Sequence, residues 1–141
     1  MLGACSYPDA LARSRAATGR GLSKQAFHLL PKVEEVDRLV DAHREVRIVE
    51  VHPEVSFAAL AARPMAHPKR TPAGRAERVA ALRTACPALV EALPTRLAGA
   101  APDDVLDAVV VAWSARRYAT GSHEHLGGER DGRGLRMEII V

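Results

Sequence analysis

Three observations in the 141-residue sequence predict a mixed α/β domain. Leu29, Leu30, Val33, Val36, Leu39 and Val40 recur at steps of three and four, the period of an amphipathic helix. "EVRIVEV", residues 45–51, is rich in β-branched side chains and is bounded by Pro53, which marks a strand. "PDDVLDAVVVAW", residues 102–113, opens with proline and two aspartates and is then apolar on almost every face, as a helix at the centre of a core would be. The length fits one domain, residues 1–141, with enough chain to bury a real core.

Residues 8–17 are helix-permissive and stop at "TGRG", where Gly19 and Gly21 end any helix. Ser23 then caps a short helix to about Leu30, and Pro31 opens a second, "PKVEEVDRLVDAHR", with Glu34, Glu35, Asp37 and Arg38 outward. A strand follows over Val46–Val51. Pro53 suits the first position of a helix, "PEVSFAALAAR", with Glu54 in the first turn that the dipole favours. "PMAHPKRTPAG" is a proline-rich loop, "RAERVAALRTAC" is helical, and Pro87, Pro94 and Gly99 break up the next stretch. The helix from Pro102 runs to about Thr120 and ends at Gly121; "SHEHLGGERDGRG" is a polar loop, and "LRMEIIV" alternates as a closing strand.

Hydrophobic residues at 48% and charged residues at 26% exclude a disordered chain, and aromatics at 4% leave the core to Ala, Val and Leu. The net charge of +3 leans weakly toward a polyanionic partner. Seventeen of the twenty basic residues are Arg in an Ala-rich chain, a compositional bias that discounts arginine number as a sign of nucleic-acid binding. Cys5 and Cys86 form no CxxC pair and no secreted-type framework, which points to a reduced, cytoplasmic setting. The first residues lack the apolar core of a secretory leader, and no stretch reaches the 18 or so apolar residues of a membrane span.

The chemistry-bearing residues are acids. On a strand Glu50 and His52 share a face at the carboxyl end, where open α/β folds bind ligands. The same stretch also fits plain structure, with Glu50 paired to an arginine, His52 an N-cap and Glu54 a first-turn acid. Asp103 and Asp104 are ordinary at a helix start, whereas Asp107 projects one turn later into an apolar helix. There a carboxylate costs several kcal/mol unless a cation, a hydrogen-bond network or a metal compensates it. A strand-end glutamate with a helical aspartate pair is ligand chemistry for Mg²⁺ or Mn²⁺, ions that orient an attacking water on a phosphodiester. The alternative metal reading places zinc on His123 and His125 of "HEH", with His52, although no His or Cys has structural-zinc spacing.

"GLSKQAFHLLPKVEEVD", "EVHPEVSFAAL", "KRTPAGRAER", "DDVLDAVVVAWSARR" and "DGRGLRMEI" together resemble the predicted nucleases of RNase H-like fold catalogued as domain-of-unknown-function family 429. The resemblance covers residues 21–140. It implies a mixed sheet in which acids from two strands and a final helix hold two metal ions. Glu50 would then be the strand acid and Asp104 and Asp107 the helical pair, as catalytic residues and metal ligands, with Asp103, Glu54 and His52 as second choices. Lys24, Lys69 and Arg78 would meet phosphates of a nucleic acid. Family members begin with three strands, the first carrying an aspartate, and nothing here matches them. The expectation is therefore an RNase H-like fold lacking the first strands of the sheet, the carboxyl-terminal two thirds of the family domain. The activity implied is Mg²⁺- or Mn²⁺-dependent hydrolysis of nucleic acid. The alternative is an inactive fragment that binds nucleic acid or completes a sheet, including that of a second copy, through the unpaired "EVRIV" strand.

Overall fold

Short polar residues and prolines set most element boundaries. In the computed structural model, which describes residues 3–93 and 97–141, the side chains of Ser6, Ser23 and Thr71 cap helices by accepting from the backbone N–H of Asp9, Ala26 and Gly74. These open α1 (Tyr7–Thr18), α2 (Lys24–Ala42) and α4 (Pro72–Ala85). Proline starts α3 (Pro53–Ala61), the short α5 (Pro87–Glu91) and α6 (Pro102–Thr120), where a missing N–H costs nothing. Gly19 and Gly121 end α1 and α6 in the left-handed conformation, at φ 69° and 71°. The chain closes with β1 (His125–Arg130) and β2 (Arg136–Ile140), an antiparallel hairpin. The molecule is mixed α/β, mostly helical, with this small two-stranded sheet.

Four expectations change. The strand over Val46–Val51 does not form: residues 47–49 are irregular, and only Glu50 makes a parallel bridge, to Ile139. β-branched residues favour a strand but cannot make one without a partner along its length. The proposed break at Pro31 is absent, since α2 runs through it. The proline removes one N–H from the ladder, while the apolar stripe continues in phase on both sides. The polar loop from Ser122 contains β1, whose residues are all exposed and whose pairing with β2 slips by a bulge between Gly127 and Glu129. Gly127 is required there, because a Cβ would lie 2.5 Å from the Met137 carbonyl oxygen. The stretch after Pro87 contains α5, while Pro94, read as a breaker, lies outside the described residues.

The chain divides into two compact units, Met1–Ile48 and Val49–Val141. In the first, α1 lies against α2, with the Tyr7 ring edge-on to Phe27 at 5.7 Å and its hydroxyl donating to the Leu22 carbonyl at 2.8 Å. In the second, α3, α4 and α6 pack on one another around Phe57, Leu82, Leu106, Val109 and Val110. A hydrogen bond of 2.9 Å from Ser114 to Ser56, both buried, ties α6 to α3.

The loop from Ala62 to Arg70 between α3 and α4 is held by its neighbours. Glu77 accepts from the N–H groups of Ala66 and His67 at 3.0 and 3.1 Å and from the Arg63 guanidinium at 2.7 Å. Gly74 lets the loop lie on α4: a Cβ there would stand 2.0 Å from the Pro68 carbonyl oxygen. Replacing Gly74 with Ala should therefore displace the loop and cost about 1–3 kcal/mol, read as a lower urea midpoint with an unchanged slope. An unchanged midpoint would mean that the Pro68 carbonyl can retreat freely. The bonds to Ala66, Arg63 and His67 hold the Glu77 carboxyl down to about 2 from its ordinary 4.5. A depressed carboxylate stabilises the fold fully above about 4.5 and loses that contribution as pH falls toward 2. The stability gap between the wild type and Glu77→Gln should thus be widest at neutral pH and close over that window in denaturant titrations.

Candidate functional site

The first turns of α6 and the end of the α3–α4 loop build a cluster of opposite charges. α6 is a core helix, so Asp103 and Asp107, one turn apart on its inward side, are largely withdrawn from water. Asp104, on the other flank, is exposed. Lys69 reaches in from the loop and places its Nζ 2.6 Å from Asp107 Oδ2 and 3.9 Å from Asp103 Oδ2. Arg70 adds its Nε at 3.8 Å from Asp103 Oδ2. The hydrogen bond to Asp107 raises the Lys69 pKa above its ordinary value against the opposing cost of burial, helped by the charges of Asp107, Asp103 and Glu54. The stabilisation from this raised ammonium is therefore present below the ordinary lysine range and lost as pH climbs through the folded value. Asp107 Oδ1, by contrast, is buried and has no hydrogen-bond partner among the described residues.

Glu54, in the first turn of α3, is held by Arg78 in a bidentate pair, Nε to Oε1 at 3.1 Å and Nη2 to Oε2 at 2.6 Å. The Arg78 side chain is only 2% exposed, and its Nη1 donates to the carbonyls of Gly74 and His67 at 2.9 and 3.1 Å. Its guanidinium lies 5.5 Å from the centre of the Phe57 ring. This arginine is thus engaged inside the protein. Its sequence signal is its spacing: Arg78 falls four residues after Gly74 and four before Leu82, on the buried face of α4.

Of the residues expected at a metal, the structure brings Asp107 and the second choice Asp103 together on Lys69, while Glu54 is paired with Arg78 and acts on Lys69 only through its charge. Glu50 is exposed and uses its backbone, accepting from the Ile140 N–H at 2.9 Å. Neither the Glu50 nor the Asp104 carboxylate makes a hydrogen bond or ion pair among the described residues. His52 is exposed at the N-cap position of α3 without a side-chain capping bond. Lys24 opens α2 as an exposed first-turn residue. His123 and His125 face each other with Nε2 atoms 3.1 Å apart, and His125 Nδ1 lies 3.1 Å from Glu138 Oε2. Among the described residues no three His, Cys, Asp or Glu side chains are grouped as a metal's ligands. No helix there is long and apolar enough to cross a membrane.

Lys69→Met should strand the Asp107 carboxylate without its cation. The expected loss at neutral pH is about 1–3 kcal/mol, shrinking at alkaline pH as the Lys69 ammonium of the wild type loses its proton, measured by urea unfolding at two pH values. An equal loss at both would assign Lys69 a packing role alone.

Comparison with known proteins adds one finding: a family model described as "Protein of unknown function (DUF429)" matches residues 1–132. No curated protein and no solved structure matches. A match over this much of the sequence is decisive for kinship, and the chain belongs to the DUF429 family.

Proposed function

We propose that the chain is a metal-dependent nuclease of RNase H-like descent, with Asp107 and Asp103 as the central acids. One observation carries this reading: two largely buried carboxylates converge on a cationic group while one of their oxygens, Asp107 Oδ1, has no hydrogen-bond partner among the described residues. Such a pair is built to hold positive charge. The donors are all oxygen, which fits Mg²⁺ or Mn²⁺ and not a softer ion. Asp107 and Asp103 would hold the ion, and Glu54, whose charge Lys69 also feels, lies in the same field. A bound divalent ion supplies Lewis-acid stabilisation of charge on phosphate oxygens and on an attacking water.

The chain's own groups have separable tasks. Lys69 neutralises Asp107 and is partly exposed, so it can exchange that contact for a phosphate oxygen. Arg70, whose side chain is 87% exposed beside Asp103, offers a planar fork to a polyanion. Arg78 holds Glu54 in place and so positions the acid side of the cluster.

A second reading, an inactive module that binds nucleic acid or completes a sheet, is favoured by two observations. Asp107 and Glu54 already have cationic partners. The stretch around Val46 and Ile48 leaves both side chains exposed and has a single bridge, at Glu50.

Cleavage of single-stranded and duplex DNA, RNA and hybrid substrates separates the two. Mg²⁺- or Mn²⁺-dependent cleavage should fall at least about a hundredfold in Asp107→Asn and Asp103→Asn, a loss of roughly 3 kcal/mol in transition-state stabilisation. Asp104→Asn and Glu50→Gln test the ligand set that the family resemblance implies. Salt-sensitive binding without cleavage in the wild type would favour the inactive module.

A further inference from the structure

We propose that α2 is a self-association surface through which two copies of this chain pair as antiparallel helices. Leu29, Val33, Val36 and Leu39 recur at steps of four, three and three along α2, and each remains between 49% and 52% exposed. That is a continuous apolar stripe almost three turns long. Scattered exposed apolar residues are normal on a protein, but a contiguous stripe on one helix face marks a contact surface.

The charges of the helix choose the partner and its direction. The first half of α2 carries Lys24 and Lys32 and no acid, whereas the second half carries Glu34, Glu35, Asp37 and Asp41 against Arg38. A parallel copy would lay the acidic half on the acidic half; an antiparallel copy sets basic against acidic at both ends. Lys32 and Glu35 lie on the same flank of the stripe. Neither forms an ion pair within the chain among the described residues.

A two-fold axis perpendicular to the helices brings each flank against its own counterpart, with residue numbers running in opposite directions. With the axis near residue 34, Leu29 of one copy meets Leu39 of the other. Lys32 then meets Glu35 of the other copy, twice per dimer. The apolar stripe and the charge pattern thus name the same occupant, a second copy of α2.

Sedimentation equilibrium of the full chain up to about 100 μM should show a dimer. Val33→Glu with Val36→Glu should abolish it, with helix content by circular dichroism unchanged. Lys32→Glu and Glu35→Lys alone should each weaken the dimer by about tenfold, since each sets like charges together at two places. Mixing these two variants should restore association as a heterodimer, because both contacts become attractive again. A wild-type chain that stays monomeric, a dimer that survives the double glutamate variant, or no recovery on mixing would each overturn the proposal.

Discussion

The second unit depends on the Arg78–Glu54 pair. Arg78 comes from α4, Glu54 from α3, and the His67 carbonyl from the loop between them, so one guanidinium fixes the relation of three segments. A charge at 2% exposure is sustained only because four of its N–H donors have acceptors and a carboxylate neutralises it. The Phe57 ring packed on the guanidinium brings it into the apolar core that α6 completes. Loss of the arginine would leave two carbonyls and a carboxylate without their shared donor.

The acidic cluster follows from that arrangement. Lys69 reaches Asp107 because the loop that carries it is pinned by Glu77, by Gly74 and by Arg78. Two acids on a core helix would repel one another and resist burial; the lysine offsets both costs and leaves one oxygen of Asp107 without a donor among the described residues. The first-turn aspartates divide by helical phase: Asp103 turns inward and is compensated, whereas Asp104 turns to solvent.

Local rules made most helices legible. Serine and proline starts, glycine stops and the apolar period lie within a few residues of one another, and α1, α3 and α6 follow them, whereas α4 opens at Thr71 and Pro72, inside the stretch that reads as a proline-rich loop. Pairing was not legible in the same way. The run over residues 46–51 has the composition of a strand but finds a partner at one residue, and β1 forms in a glycine-rich polar stretch because β2 lies opposite it. Asp107 could be singled out from sequence, since one acid in an apolar helix breaks the pattern. That Lys69 would meet it across 38 positions could not, because a solvated lysine and a compensating lysine look alike until the loop is folded. Arg78 carried a signal in its place on the apolar face of α4, which the composition bias toward arginine obscures.

The bulge at Gly127 has a bearing on how the hairpin behaves in a crowded solution. The extra residue in β1, Gly128 at φ 123° beside Gly127 at φ 92°, twists the outer rim and breaks the even spacing of its amides and carbonyls. A foreign strand laid along that rim would fall out of step after two or three residues. The ribbon is thereby a poor seed for cross-β stacking, although Leu126 and Met137 leave apolar surface on it.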